Sequence, residues 1–230
     1  MMNCRAITAR LKFTLAIFFS LALALLQPAI AQTNHGKPKN TIILFADGTT
    51  ASQYEFGRYS SLLLRQQPFA ITDIVMKRGQ LQLMKTESAN YFVTDSAAAA
   101  SAMSTGFKVN NGSISVLPDG SKPTTLMQFA KNNGKRIGLI STAPIYDASP
   151  AAFSVHAKSR RDSEAIVSQY LELLPDVLLG GGVNYFLPNS SKGGKRQDGM
   201  NVIEAFKSKG YQYVETPSDL DKAEGTRLLG

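Results

Sequence analysis

Ser96 lies in Val93-Thr94-Asp95-Ser96-Ala97-Ala98-Ala99-Ala100-Ser101-Ala102-Met103-Ser104-Thr105-Gly106, a polar cluster running into alanines. Alanine is the strongest helix former, Asp95 or Thr94 can cap a first turn, and Gly106 supplies a stop. The helix would then begin at Ser96, among backbone N–H groups that lack an intrahelical acceptor and attract anions. A hydroxyl mounted there suits attack on an anionic substrate, although capping and helix packing alone account for these residue types in many proteins.

Two other stretches hold groups that can do chemistry. Asp47 follows the apolar run Thr41-Ile42-Ile43-Leu44-Phe45 and precedes Gly48-Thr49-Thr50. That run predicts a buried strand closed by an Asp-Gly turn, which would set a carboxylate at a strand end as an oxygen ligand for a hard or borderline cation. The stretch from Tyr146 to Arg160 contains Asp147, Ser149, His156 and Arg160. Its local pattern is a Ser-Pro turn opening a short helix with a basic end.

The elements that must position these groups alternate. Helices are predicted over 51–65, 124–131 and 163–173, and strands over 136–140 and 176–179, the last closed by Gly180-Gly181-Gly182. Alternating strands and helices imply a parallel α/β sheet, in which ligands bind beyond the carboxyl ends of the strands. Asp47 and the loop after Ile140 both fall at that edge.

Arg5, Arg10 and Lys12, the apolar run from Phe13 to Leu26, and Ala29-Ile30-Ala31 together form a secretory signal peptide over 1–31. A polar linker over 32–40 and one domain over 41–230 follow. No second apolar stretch approaches the roughly 20 residues of a membrane span, so the expectation is a soluble protein exported to the periplasm or outside the cell. Cys4, the single cysteine, falls in the leader, and the remainder must be stable without disulfides.

Of the formal net charge of +8, three charges belong to Arg5, Arg10 and Lys12, leaving +5 for the rest. The clusters Lys158 with Arg160-Arg161 and Lys192 with Lys195-Arg196 lie in polar, turn-rich stretches without interleaved aromatics. They read as solvated loops, which argues against a nucleic-acid partner. His35 in the linker and His156, with no second imidazole at ligand spacing, do not read as metal ligands. The triple glycine lacks the Gly-Lys-Ser/Thr ending of a phosphate-cradling loop.

The segment around Asp95-Ser96-Ala97 resembles, almost residue for residue, the phosphoserine motif of the alkaline phosphatase family. Thr41 to Thr50 is similar to that family's first strand and metal-binding aspartate, and Tyr146 to Arg160 to the block ending in its phosphate-binding arginine. The resemblance runs from about Thr41 to Gly230. It implies that Ser96 attacks phosphorus and meets zinc, that Arg160 grips two nonbridging phosphate oxygens beside Asp95, and that Asp47 touches one zinc and the magnesium. Asp147 and Ser149 would belong to the magnesium site. Ala46 replaces the usual glycine and Ser149 the commoner threonine, while the carboxylate at Asp147 goes with magnesium rather than a third zinc.

The implied fold is an α/β, alkaline-phosphatase-like three-layer sandwich with a mostly parallel central sheet, incomplete in this chain. The implied reaction is hydrolysis of small-molecule phosphate monoesters through a covalent phosphoserine, with two Zn2+ and one Mg2+, in an enzyme that forms homodimers. The family builds its zinc sites largely from histidines and aspartates beyond the matched region, for which this chain has no candidates. The expectation is therefore an N-terminal portion of a longer phosphatase, inactive alone. The alternatives are a related metal-dependent phosphodiesterase or sulfatase, or a nonfunctional exported anion-binding remnant.

Overall fold

The computed structural model describes residues 39–80 and 82–230. The leader at 1–31, most of the linker at 32–40, Cys4 and His35 lie outside the described residues. Two compact units divide the chain, residues 1–45 and 46–230.

In the first unit, the described residues 39–45 carry no regular secondary structure. The strand expected over Thr41-Ile42-Ile43-Leu44-Phe45 does not form, and Ile42 and Leu44 are exposed. An apolar run becomes a buried strand only when neighbouring strands satisfy its backbone and a layer covers its side chains. The sheet of the described residues is built from other segments.

In the second unit, helix α1 (Ala51–Ser60) continues into a π-helical turn, Ser61–Arg65, and a second π-helical turn, Ile71–Val75, leads into the short α2 (Met76–Arg78). A capping box, Thr50 with Gln53, starts α1, but none of its residues is buried. Helix α3 (Ser96–Thr105) follows, then α4 (Leu126–Asn132), strand β1 (Gly138–Pro144), α5 (Ala148–Ala152), α6 (Ser163–Leu173) and β2 (Val177–Gly181). The chain continues through α7 (Val202–Lys207), β3 (Gln212–Tyr213), α8 (Pro217–Asp221) and β4 (Leu228–Leu229).

The four strands form one sheet in the order β1-β2-β4-β3, with every pairing parallel. Leu139 pairs with Leu178 and Ile140 with Leu179, after which the register shifts before Pro144 meets Gly181. Proline has no N–H to give to a ladder, which suits it to the irregular end of a strand. The expected parallel α/β class holds, although β1 lies two residues later at its start than the apolar pattern suggests.

Two packed regions hold this unit together. On the sheet, Leu139, Leu178 and Leu229 are buried with Ile166, Val167 and Tyr170 of α6 and Val202, Ile203 and Phe206 of α7. The Tyr170 hydroxyl reaches out of this layer to the Ile145 carbonyl at 2.8 Å, which satisfies a buried polar group. Beside the sheet, α3 packs on α5, with Ala97, Ala98 and Ala100 buried on one helix and Ala148, Ala151 and Ala152 on the other. Methyl-sized side chains let the two backbones approach closely. Buried Ser115 ties the same region down, its N–H donating to Ser101 Oγ at 2.8 Å and its hydroxyl to the Ala152 carbonyl at 2.7 Å.

Candidate functional site

The first turn of α3 follows from its cap. Asp95 has extended backbone, and its Oδ1 accepts from the Ala98 N–H at 2.9 Å, so the aspartate, not Thr94, caps the helix. At the far end Gly106 sits at φ +79 in the left-handed region, where glycine is the residue that fits without strain. Between these ends, Ser101 and Ser104 use their hydroxyls on neighbouring backbone: Ser101 Oγ accepts from Ser115 N–H and Ser104 Oγ from Leu126 N–H. Ser96 differs. Its hydroxyl leaves the helix and donates to Asp47 Oδ1 at 3.0 Å.

Asp47 also accepts, through Oδ2, from the Ser149 hydroxyl at 2.7 Å. One carboxylate thus joins two hydroxyls that are 53 positions apart in the sequence, Ser96 from α3 and Ser149 from α5. Gly48 turns the chain after Asp47 at φ +64. This cluster of carboxylate and hydroxyl oxygens suits a hard cation such as magnesium, which is held by one or two carboxylates together with water. One carboxylate and two hydroxyls fall short of two zinc sites, each of which takes three or four histidine, cysteine or carboxylate ligands. Among the described residues, no three His, Cys, Asp or Glu side chains come together as a metal-binding group.

A second network runs beside the first. Arg160 donates from Nη2 to Asp147 Oδ1 at 2.9 Å and from Nη1 to Asp95 Oδ2 at 3.4 Å. Asp147 also caps α5 through the Ala148 N–H at 2.7 Å, so it faces the arginine and its own helix. Burial alone would lower the Arg160 pKa, but the hydrogen bond and charge of Asp147, followed by the charge and hydrogen bond of Asp95, outweigh it and hold the guanidinium above its ordinary value. The cation is therefore permanent, and its planar fork matches two oxygens of a phosphate.

The structure brings all six sequence-derived residues into these two networks: Asp47, Ser96 and Ser149 in one, Asp95, Asp147 and Arg160 in the other. Asp95 links them, because it caps the helix that carries Ser96 and also holds Arg160.

Asn111 is not among the residues that the sequence motifs single out. Its Oδ1 accepts from the Asp95 N–H at 3.0 Å, and its amide donates to the Val93 carbonyl at 2.9 Å. Next to it, the Gly112 N–H donates to Asp95 Oδ2 at 3.0 Å, while the Gly112 carbonyl accepts from the Arg160 N–H at 2.7 Å. The turn at 110–112 therefore fixes both the cap and the arginine. Its polar residues and glycine mark a turn, a signal that turns share throughout proteins.

His156 lies after α5 rather than inside a helix. Its Nε2 donates to the Pro123 carbonyl at 2.8 Å, since a carbonyl can only accept. Burial holds its pKa below 6.5, with the Lys122 charge adding to the depression and the Pro123 hydrogen bond opposing it. The loop assignment of Lys192, Lys195 and Arg196 needs one correction: Arg196 is fully buried. It is paired with Asp198 and donates to Ser168 Oγ at 2.9 Å and the Tyr185 carbonyl at 3.2 Å. A buried cation is tolerated when its donors are met, and a sequence shows the charge but not the acceptors.

The family model for alkaline phosphatase matches residues 38–230. The chain is 35% identical over 226 residues to Alkaline phosphatase 3 of Bacillus subtilis, covering 93% of this chain and 46% of that relative. Among solved structures it matches the Thermus thermophilus alkaline phosphatase with a TM-score of 0.74 and 34% identity, over 80% of this chain and 38% of that one. A variant of the alkaline phosphatase of the Antarctic bacterium TAB5, with magnesium bound in its M3 site, matches with a TM-score of 0.67 and 30% identity, over 83% of this chain and 51% of that one. The chain belongs to the alkaline phosphatase family, and it spans less than half the length of the Bacillus relative. Among the described residues, no helix is long and apolar enough to cross a membrane.

Proposed function

We propose that this chain supplies the nucleophile and the phosphate clamp for hydrolysis of phosphate monoesters through a phosphoserine at Ser96. The observation that carries the reading is the convergence of Asp47, Ser96 and Ser149 beside Asp95, Asp147 and Arg160, from segments scattered over more than a hundred positions. Ser96 Oγ would bond to phosphorus as the bond to the ester oxygen breaks, and the alcohol would leave with a proton. Water would then break the Oγ–phosphorus bond and release inorganic phosphate.

Each residue has a role in that sequence. Asp47 fixes the rotor of the Ser96 hydroxyl. The start of α3 and the Arg160 fork face the negative charge of the phosphoryl group. Asp95 and Asp147 hold the fork flat and charged. Asp47 and Ser149 are the residues that would hold a magnesium ion, whose charge would help to offset that of the phosphoryl group, while Asp147, which the resemblance places with them, is bonded to Arg160 instead.

A serine hydroxyl is a weak nucleophile without a base or a metal beside it. The described residues place no imidazole at Ser96 and do not fit the two zinc ions that the family resemblance implies. The 230-residue chain is therefore expected to be inactive alone. The leader read at 1–31 supports an exported enzyme, periplasmic or extracellular.

The test is turnover of 4-nitrophenyl phosphate, with zinc and magnesium added, by the chain alone and by the chain extended by the remainder of its family domain. The extended protein should turn over and the chain alone should not. Ser96→Ala should lower turnover on the order of a thousandfold or more in the extended protein without changing its melting temperature. Turnover that survives Ser96→Ala would remove the phosphoserine from the proposal.

A further inference from the structure

A cleft of about 670 Å³ opens on the Asp147 side of Arg160, bordered by Tyr146, Asp147, Arg160, Arg161 and Tyr185. We infer that this cleft receives the alcohol portion of the phosphate ester and selects a planar aromatic one, an inference that rests on Arg160 being the phosphate clamp. The same guanidinium faces two ways: Nη1 points to the cap of the Ser96 helix and Nη2 to Asp147 on the cleft wall. A phosphoryl group held on the fork has this cleft beside it for its substituent.

The wall is aromatic and rigid. The rings of Tyr146 and Tyr185 meet edge to face, with centroids 5.1 Å apart and planes at 81°. The Tyr146 hydroxyl donates to Asn184 Oδ1 at 2.9 Å. Gly182 passes against the Tyr146 ring at φ +97, and a Cβ there would lie 2.5 Å from Cε1, so glycine alone allows that approach. Behind Tyr185, fully buried Arg196 donates to its carbonyl at 3.2 Å, and Lys195 Nζ stands 5.8 Å from the ring centroid. The wall is thus held from both sides before any ligand arrives.

Two features favour an aromatic guest. Aromatic rings pair edge-to-face or offset with each other more favourably than their buried area alone predicts. Arg161 makes no ion pair among the described residues, and its guanidinium, on the cleft border, can lie over a guest ring. A small aliphatic alcohol would use neither.

The test is equilibrium binding of inorganic phosphate, methylphosphonate and phenylphosphonate to the 230-residue chain by calorimetry. Phenylphosphonate should bind about threefold to tenfold more tightly than methylphosphonate, the range that an aromatic pair supplies. Tyr185→Ala and the bulkier Tyr185→Leu should erase that preference while leaving methylphosphonate affinity unchanged, with a melting temperature lowered only as far as loss of the Tyr146 ring pair accounts for. Arg160→Ala should weaken all three ligands together. Equal affinity for the two phosphonates, or a preference that persists in both Tyr185 variants, overturns the aromatic subsite. Failure of the wild-type chain to bind inorganic phosphate overturns the Arg160 clamp itself, and the subsite with it.

Discussion

Helices α1 and α3 each contain ten residues and each starts from an N-cap residue with extended backbone, Thr50 and Asp95, yet they have opposite fates. Helix α3 buries Ala97, Ala98, Ala100, Ser101 and Ser104, whereas α1 buries none of its residues. Phe56 and Tyr59 on α1, and Leu62, Leu63 and Leu64 just after it, face solvent. The contrast separates two effects that are often merged. Caps and propensity make a helix form, but only a partner surface makes it contribute burial energy. α3 has α5 as that partner, and the small side chains on both make the fit. The nucleophile candidate is thus mounted on the well-packed helix, while Asp47, which it bonds, belongs to an exposed turn.

The largest test of this contrast compares two phenylalanines. Phe206 is fully buried on α7 and Phe56 is 74% exposed on α1. Phe206→Ala should lower unfolding free energy by about 3–5 kcal/mol, and Phe56→Ala by no more than about 0.5 kcal/mol, in urea denaturation. Similar losses would show that α1 is packed in solution and would break the comparison.

Next in size is the cap that joins the packed helix to the site. Asp95→Ala removes the acceptor for the Ala98 and Gly112 N–H groups and one partner of Arg160. The expected loss is about 1–2 kcal/mol of stability, with weaker phosphate binding measured on the same sample. Thr50→Ala, at the start of α1, should leave phosphate binding unchanged.

Asn111→Ala sharpens the same point, because it removes an acceptor for the Asp95 N–H without touching the Asp95 carboxylate. It should lower stability by about 0.5–1.5 kcal/mol and also weaken phosphate binding, and phosphate binding at the wild-type level would exclude a positioning role for the turn.

The smallest effect concerns His156. Its folded pKa lies below the ordinary 6.5, so the unfolded chain binds the proton more readily. Stability from this group is complete above about pH 6.5 and is lost as pH falls toward and through the folded value. A thermal melt series from pH 7 to pH 5 should show a decline that His156→Gln reduces. An identical decline in the variant would place its origin elsewhere.

Most of the site was legible because its residues sit in short contiguous motifs. Asp95-Ser96-Ala97 and the stretch from Asp147 to Arg160 carry both their helix signals and their family resemblance within a few residues. Asn111 and Arg196 were not legible, because what distinguishes them is which acceptors surround them. The apolar run at 41–45 was misread for a related reason: hydrophobicity announces that a segment can be buried, not that a neighbour is present to bury it.

The sequence by itself determined the local elements: the cap and stop of α3, the helix over 163–173 and the alternation that gives a parallel sheet, and it singled out the six residues that the structure gathers into two networks. Those depend on interactions within a few positions, or on residue type alone. Tertiary structure decided which hydroxyl stays free of the backbone and meets Asp47, which aspartates grip Arg160, and which arginine is buried. These outcomes depend on contacts between distant segments, and propensity, charge and spacing along a chain do not encode those distances.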